Sequence, residues 1–403
     1  MKVAIISEPP PLTTGFGRTC GQLVKALVSK SHEVVCFGMG LAGEVFDREM
    51  YPCRIWATGK ASSSKLAIPF ETFLQFEQPD VIIVNFDLAT ARKWVERCLA
   101  INPKIPIISH LVIDGLPVPL EHIGFLRLLS GIIVPTITTR NFLINNGIKN
   151  VVYAPHGIET SVFKALKSRE ALRKQACIGN KFVVGLFGRN TERKQHVRLM
   201  QAIAILTEMG LDDILLYLHC DPHDTGLASW DLEFVSENLG IGNVTLFPSL
   251  GFDQLLGIPY EPERETSNST VASKKAFTES YSYVERMNCC DVIVNCSFCG
   301  GFELGIIETQ ACGVPLIATD DHGVIREVVG GGGYLLEAVD VGIWKTGAKQ
   351  YFLSPSSIAE AMLTVKKDAM LRSELINRGL ENVKKYSWTY LHEAVNDLVE
   401  HSI

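Results

Sequence analysis

The chain has 403 residues, of which 47% are hydrophobic and 20% charged, and this composition excludes disordered, collagen-like and coiled-coil proteins. At roughly 150 residues per domain, the length predicts two to three domains, and we expect two. The 38 Lys and Arg residues are outnumbered by 44 Asp and Glu residues, and the formal net charge of -6 disfavours nucleic acid as the main partner.

Short apolar runs account for the positive mean hydropathy of +0.17 and predict strands that are buried on both faces. These runs cover residues 3–6, 81–84, 105–108, 132–134, 182–187, 214–218, 292–294 and 314–318. None reaches the roughly 18 residues of a transmembrane helix, so no transmembrane segment is predicted. The first run begins after Lys2 and is soon followed by a Pro triplet, which does not suit a signal peptide, and we therefore expect a cytoplasmic protein.

The N-terminal half alternates strands with segments of helical period, which predicts an α/β domain with a parallel sheet over residues 1–165. Its first strand leads through a loop rich in Pro, Thr and Gly into a helix predicted from about Arg18 to Ser29. A segment rich in Lys and Arg, residues 164–180, then separates this half from the next strand series.

The C-terminal half repeats the alternation over residues 181–386, so two similar α/β domains with a cleft between them are expected. Within it, the polar segment 255–280 exceeds the usual length of a connection and is either a lid or an insertion, of which we favour the insertion. Two helices are predicted over 357–385 and a terminal helix over 388–403.

The 11 Cys residues are an odd number in a chain without a secretion signal, which favours buried reduced thiols over a disulfide framework. Cys289, Cys290, Cys296 and Cys299 include one C-x-x-C pair and so raise a zinc site as an alternative. A zinc site usually needs two such pairs across a loop, and Cys296 directly follows a buried strand. We therefore predict no metal site here.

Two loops could bind phosphate. Gly15 and Gly17 lie between the first strand and its helix, where backbone N–H groups and the helix dipole favour an anion, although a tight turn explains two glycines equally well. Cys20 stands where a dinucleotide fingerprint needs its third glycine, which disfavours NAD. Arg189 and Lys194 lie in the run GRNTERK after a strand, in a phosphate site or in an ordinary solvated loop.

The densest candidate is the run SFCGGFELGIIETQACGVPLIATD, residues 297–320. Gly300 and Gly301 are predicted to form a turn after a strand, and a helix is predicted to begin near Phe302. Glu308 lies within that helix. A carboxylate there can hold a ribose diol while the glycine turn binds a diphosphate.

This run resembles the donor-sugar signature of retaining GT-B glycosyltransferases, the large family that includes sucrose synthase and bacterial mannosyltransferases. The family pattern is E-G-F-G-L-P-x-x-E-A-x-A-x-G-x-P-V-I-A. Four further elements match in order: the glycine loop at 15–17, PHGIETSVF at 155–163, GRNTERK at 188–194 and RGLENVKKYSW at 378–388. The resemblance implies two Rossmann-like domains, 1–165 on the acceptor side and 181–386 on the donor side, with the helix 388–403 crossing back.

The resemblance also implies that a sugar is transferred from a nucleotide donor with retention of configuration, without a cofactor or metal. It assigns the ribose to Glu308, the diphosphate to Arg189 and Lys194, and the surroundings of the donor sugar to His110, with Asp114 and His322 lining the cleft. The remaining donor contacts that it implies are Gly15, Gly17, Gly188, Gly300, Gly301, Phe302 and Leu304. The acceptor, a glycan, lipid, protein or modified base, is left open.

The sequence departs from the pattern at its first Glu, which is Gly300 here, and Glu303 is a possible substitute as a catalytic carboxylate because it lies one helical turn away. The usual Gly-Gly after the next strand is His322-Gly323, which places an imidazole near the donor or merely on a solvated loop. Two alternatives to a transferase therefore stay open: a nucleotide-sugar epimerase or hydrolase of the same architecture, and a binding protein without catalysis.

Overall fold

The computed structural model describes residues 1–40, 51–57, 69–176, 178–224, 230–248 and 281–402. The polar segment 255–280 lies outside these described residues, so its prediction as an insertion stays a prediction. The described strands form two parallel sheets and one antiparallel hairpin. This confirms the predicted α/β class.

The first sheet has seven parallel strands in the described ranges, in the order β3-β2-β1-β4-β5-β6-β7. Its central strands are apolar on both faces, since helices cover both sides of the sheet. The strands are β1 Lys2–Ser7, β2 Glu33–Gly38, β3 Arg54–Ala57, β4 Val81–Asp87, β5 Ile107–Val112, β6 Gly131–Val134 and β7 Val151–Tyr153. The helices between them are α1 Gly15–Ser29, α2 Phe70–Glu77, α3 Leu88–Ile101, α4 Leu120–Ile123 and α5 Ile137–Asn145, with a 3-10 turn at Gly124–Leu128.

The second sheet has six parallel strands among the described residues, in the order β10-β9-β8-β11-β12-β13. These strands are β8 Phe182–Phe187, β9 Ile214–His219, β10 Thr245–Leu246, β11 Val292–Asn295, β12 Leu316–Asp320 and β13 Tyr334–Glu337. The associated helices are α6 Arg169–Gln175, α7 His196–Glu208, α8 Leu232–Asn238, α9 Tyr283–Cys289, α10 Leu304–Ala311 and α11 Val324–Val329, with 3-10 turns at Glu192–Lys194 and Gly242–Val244.

After the second sheet, the chain forms a hairpin and three helices. The hairpin pairs β14 Asp340–Ile343 with β15 Lys349–Phe352 and was not predicted from the sequence. The helices are α12 Pro355–Lys367, α13 Ala369–Val383 and α14 Trp388–Glu400. Helix α14 packs on the first sheet, because Leu391 and Val395 share one buried cluster with Val3 and Ile5.

The two halves contact each other where the carboxyl ends of their strands meet. The Gly115 amide donates to the Gly300 carbonyl at 3.3 Å. The Glu327 carboxylate accepts from the Ile137 and Thr138 amides at 2.7 and 2.8 Å, which places a negative charge at the N-terminus of α5, where the helix dipole favours it. Loops from both sheets therefore form the cleft.

The predicted helix starts differ from the observed ones by a few residues. Helix α1 begins at Gly15 rather than near Arg18, because the Thr14 side chain caps it by accepting from the Gly17 amide at 3.0 Å. Helix α10 begins at Leu304, because Glu303 before it has a left-handed backbone with a φ of 63°. The first glycine loop is therefore shorter than the sequence suggested, and the second is longer.

The ten cysteines within the described ranges are free and buried, in agreement with reduced thiols. Cys289, Cys290, Cys296 and Cys299 form no metal-binding cluster among the described residues. Of the helices that the structure describes, none combines the length and apolar character needed to cross a membrane.

Gly157, in the connection after β7, touches the start of α14 so closely that a side chain has no room. A Cβ there would lie 2.2 Å from the Trp388 amide nitrogen and 2.6 Å from its indole Cγ. We predict that Gly157→Ala lowers the free energy of unfolding by about 2 kcal/mol, since overpacking forces α14 away from the first sheet. Urea unfolding followed by circular dichroism measures this.

Gly124→Ala is the matched control, because no atom lies within 4 Å of a Cβ at position 124. It should leave the urea midpoint unchanged. Equal midpoints for the two variants would show that the close approach of α14 to Gly157 does not affect the free energy of unfolding.

Candidate active site

The turn before α1 brings the first half to the cleft. A Cβ on Gly17 would lie 2.1 Å from the Leu12 carbonyl oxygen, so this position needs glycine for the turn itself. Gly15, the first residue of α1, faces α10, because a Cβ on it would lie 3.5 Å from Leu304. The N-termini of α1 and α10 therefore meet across the cleft, with Leu304 at the contact.

His110 lies within β5, which continues to Val112, so the prediction that it ends a strand is wrong; it has no exposed surface. Its Nδ1 is 2.8 Å from the Asn85 side-chain oxygen Oδ1, and its Nε2 is 3.2 Å from Nε2 of His156. The Asn85 amide donates to Ser7 and to the Phe16 carbonyl, so its oxygen accepts from His110 Nδ1. Neutral His110 then accepts at Nε2 from His156.

Burial keeps both imidazoles neutral. It lowers the pKa of His110 from 6.5 to about 4. Burial, with the His110 and Arg18 charges, also lowers the pKa of His156 well below its ordinary value. The Nδ1 atom of His156 is buried and has no partner. His110 is therefore placed as a fixed hydrogen-bonding group rather than as a cation.

The cations after β8 divide into two groups. Arg189 is half-exposed and pairs with Asp224, with nitrogen-to-oxygen distances of 2.6 and 3.2 Å. Arg193 and Lys194, on the 3-10 turn, are mostly buried, and both donate to the Glu303 carboxylate. A Cβ on Gly188 would lie 3.3 Å from the Lys194 stem, so Gly188 packs against that side chain. The structure thus brings Lys194 and Glu303 together.

The Glu303 side chain is 3% exposed and also accepts from the Asn295 amide at 3.1 Å and the Ser297 hydroxyl at 3.2 Å. Burial alone would raise the pKa of Glu303, but the Lys194 and Arg193 charges outweigh it and hold the pKa well below the ordinary value. Burial lowers the pKa of Lys194, against the attraction of Glu303. The group is an ionised network.

Gly300 and Glu303 are linked by packing. A Cβ on Gly300 would lie 2.6 Å from Cγ of Glu303 and 2.9 Å from its Oε1. The Glu303 side chain therefore occupies the space that a side chain at position 300 would enter. The carboxylate that the family pattern carries at the first position is absent here, and a carboxylate reaches the same space from three residues further along.

Glu308, on α10, is 3% exposed and has two partners. Arg18 Nη1, on α1 of the first half, donates to its Oε1 at 2.5 Å, and the Tyr283 hydroxyl donates to Oε2 at 3.0 Å. Sequence reasoning missed both partners. Arg18 was visible at the end of the glycine loop, but its pairing with a residue 290 positions away has no signal in one sequence.

The other predicted residues lie in different settings. Gly301 packs under the loop that contains Asp114, since a Cβ on Gly301 would lie 2.2 Å from Val112. The Asp114 carboxylate lies 3.6 Å from the Arg193 guanidinium. Phe302 is buried, with its ring centroid 4.7 Å from that of His156. It therefore packs in the interior instead of lining the cleft.

His322 is half-exposed and lies beside Asp320 and Glu337, with one potential ligand atom from each of the three within 4.8 Å of the others. Arg326 already binds both Asp320 oxygens, which opposes a cation there. This group is therefore an ion-pair network at the end of β12.

Comparisons with known proteins agree with the overall fold. Anabaena HepE in complex with UDP-glucose is 17% identical, with a TM-score of 0.70 and 99% of each chain covered. Sucrose-phosphate synthase from Thermosynechococcus elongatus is 15% identical, with a TM-score of 0.70 and coverage of 99% of this chain and 98% of that one. WaaG, a glycosyltransferase involved in lipopolysaccharide biosynthesis, is 14% identical, with a TM-score of 0.62 and full coverage of both chains. Among curated proteins, no sequence relative matches.

The whole chain therefore has the GT-B fold, two Rossmann-like domains that face each other across a cleft. The model of the family Glycosyl transferases group 1 matches residues 258–352. The resemblance seen in the sequence is confirmed for the fold, and the family match over these residues agrees with it. The roles of the individual site residues and the domain limits stay predictions.

The neutral histidine pair predicts a pH dependence of stability. In the folded protein His110 takes up a proton only near pH 4, whereas in the unfolded chain it does so near 6.5. The stabilisation that the neutral His110 ring gives to the folded protein is complete above pH 6.5. It is lost as the pH falls towards 4, because the unfolded chain then binds more protons than the folded one. From pH 7 to pH 5, we expect a loss of about 1 to 2 kcal/mol from this group.

His110→Gln removes one of the two titrating rings and should reduce the slope of the unfolding free energy against pH over this range, with His156 supplying the slope that is left. His401→Gln, at an exposed C-terminal position, is the control and should keep the wild-type slope. A His110→Gln variant with the wild-type slope would contradict the assignment of a buried neutral ring.

Proposed function

We propose that the protein transfers a hexose-type sugar from a nucleotide-sugar donor to an acceptor, with retention of anomeric configuration. The observation that carries this is the surroundings of α10: the Lys194–Glu303 group lies at its N-terminal end, opposite the N-terminus of α1, and Glu308 lies about one turn further along the helix. A ribose carboxylate beside helix N-termini and cations suits a nucleoside diphosphate. Retention is supported by the resemblance of the 297–320 run.

A UDP-sugar is the donor that we put first. The crystal structures of HepE are described as complexes with UDP-glucose, with UDP and glucose, and with UDP. Their fold likeness to this chain supports testing uridine donors before others. The base and the sugar depend on a few pocket contacts, so GDP, ADP and dTDP sugars belong in the same screen.

The reaction breaks the bond between the anomeric carbon and the diphosphate oxygen, and the electron pair of that bond leaves with the diphosphate. The acceptor oxygen bonds to the anomeric carbon, and its proton passes to the departing diphosphate. Negative charge grows on the departing diphosphate, and fixed cations stabilise it more than water does. Lys194 and Arg193 supply that charge, with Arg189 nearer the solvent. The sequence-based role of His110 at the donor sugar is not part of this proposal, because the ring has no exposed surface and both of its nitrogens already bond to Asn85 and His156.

We propose that Glu303 takes the part of the absent first carboxylate. The support is geometric: its side chain fills the space above Gly300 and ends on Lys194. Metal independence is also proposed, since the cations that face the diphosphate come from side chains and Asp320 is already paired with Arg326. The cytoplasmic location and the acceptor stay predictions.

Two alternatives differ in what they produce. An epimerase or hydrolase would change the donor without an acceptor, whereas a binding protein would hold the nucleotide sugar unchanged. The exchange of the first signature carboxylate for Gly300 is the observation that favours the binding protein. Mass analysis of the donor, incubated alone and with an acceptor panel, separates all three.

The proposed function predicts that Glu308→Ala weakens nucleoside diphosphate binding by about 1 to 3 kcal/mol, because the ribose hydroxyls lose their acceptor. Calorimetry with UDP measures this loss of affinity. In a separate experiment, the donor screen is repeated with EDTA to test metal independence. Glu360→Ala, an exposed position on α12, is the control. Unchanged UDP affinity for Glu308→Ala would remove the ribose role.

The Glu303 proposal predicts opposite effects on binding and turnover. Glu303→Gln keeps the shape but removes one negative charge, so Lys194 and Arg193 should bind UDP about tenfold more tightly. Turnover should fall by about 100-fold, because the carboxylate near the sugar is lost. Affinity from calorimetry and steady-state rates give both numbers.

Glu192→Gln is the matched control, since Glu192 is an exposed carboxylate on the same 3-10 turn. It changes the same charge in solvent and should leave both quantities near the wild-type values. Weaker UDP binding together with unchanged turnover in Glu303→Gln would refute the proposal that Glu303 takes the part of the absent first carboxylate.

A further inference from the structure

The ion pair between Arg18 and Glu308 joins the two halves inside the cleft. Arg18 lies in the first turn of α1, and Glu308 lies in α10, beside the second sheet. The 2.5 Å contact between Arg18 Nη1 and Glu308 Oε1 is made to a carboxylate that is almost completely buried. Burial of a carboxylate is costly unless a cation and hydrogen bonds compensate it. Arg18 supplies that cation from the opposite domain.

The partners of Glu308 leave two acceptor positions. An ionised carboxylate has about four lone-pair sites, two on each oxygen. Arg18 takes one on Oε1, and the Tyr283 hydroxyl takes one on Oε2. One site on each oxygen is left, and two neighbouring acceptors on one carboxylate match a vicinal diol.

The guanidinium of Arg18 is held by its contact with Glu308 on the opposite half. Its Nε atom is buried and has no hydrogen-bond partner. Beside it lies a cavity of about 340 Å³, whose walls include Arg18, Gln22, Glu308 and Trp388. A ligand hydroxyl in this space can reach the Glu308 carboxylate without displacing the guanidinium.

We propose that Arg18 is a positioning residue for the ribose of the donor. It keeps the Glu308 carboxylate oriented, with Tyr283 as its second support, so that the two remaining lone pairs accept from the ribose hydroxyls. This inference rests on the proposed function, which assigns the ribose to Glu308. Arg18 does not act on the diphosphate, so its effect depends on the diol alone.

The test compares two ligands that differ only in the diol, UDP and 2′,3′-dideoxyuridine diphosphate, by calorimetry. Arg18→Ala should weaken UDP binding about tenfold while the dideoxy ligand changes less than about threefold. Tyr283→Phe, which keeps the ring and removes the hydroxyl, should give a smaller loss with the same dependence on the diol. Arg18→Lys should recover part of the affinity for UDP.

The control is Arg92→Ala, which removes an exposed arginine that pairs with Glu96 on α3. It should leave both affinities unchanged. Equal losses for UDP and the dideoxy ligand in Arg18→Ala would show an effect on the phosphates or the fold and would overturn the proposal. Tighter UDP binding would overturn it too, since Arg18 would then compete with the ribose.

The outcome for the wild type separates this inference from the proposed function. If the wild type binds none of UDP, ADP and GDP, the proposed function fails and this inference fails with it. If the wild type prefers UDP over its dideoxy form and Arg18→Ala keeps that preference, only the role of Arg18 is refuted. Thermal unfolding of each variant establishes that the compared proteins are folded.

Discussion

A buried carboxylate needs a cation close by, and the cleft of this protein is arranged around two such carboxylates, one just before α10 and one in the middle of that helix. Glu303 and Glu308 are each 3% exposed. Glu303 takes its cations from the 3-10 turn after β8, whereas Glu308 takes its cation from α1 of the other half. Breaking a buried pair costs about 3 to 5 kcal/mol, so the Glu303 contacts fix the start of α10. The Arg18 side chain is 36% exposed, so its pair with Glu308 joins the two halves more weakly.

The exchange at positions 300 and 303 follows from the same constraint. A glutamate at 303 has a left-handed backbone, which is unfavourable for a residue with a side chain, and its side chain needs the space above Gly300. The Lys194 and Arg193 contacts compensate this strain. Gly300 and Glu303 therefore depend on each other, and a change at either position disturbs the other.

Much of the fold was predictable because each apolar run indicates a strand without reference to distant parts of the sequence. Strands such as β4 and β8 are continuous apolar segments bounded by polar residues, so their type and position follow from the sequence alone. The hairpin of β14 and β15 was missed because its strands are short and largely exposed. The site was predicted only in part, since Lys194 and Glu308 lie in recognisable runs while their partners are far away in sequence.

Which cation meets which carboxylate could not be read from the sequence. Arg18 ends a glycine loop, and Glu303 stands where the family pattern has glycine. Neither position reveals that its side chain forms an ion pair with a residue on another helix or turn. Such pairs depend on how the two sheets are placed, which is a property of the whole fold.

If the proposed function holds, charge balance limits how the donor diphosphate can be bound. Arg193 and Lys194 are matched by Glu303 and Asp114, so this described group has no excess of positive charge. A bound diphosphate would therefore share these cations with Glu303, and the backbone amides at the N-termini of α1 and α10 would supply the rest of its stabilisation. Sharing would weaken binding of the ground state. As negative charge grew on the departing diphosphate, its attraction to the cations would increase, so the interaction would be strongest where it lowers the barrier.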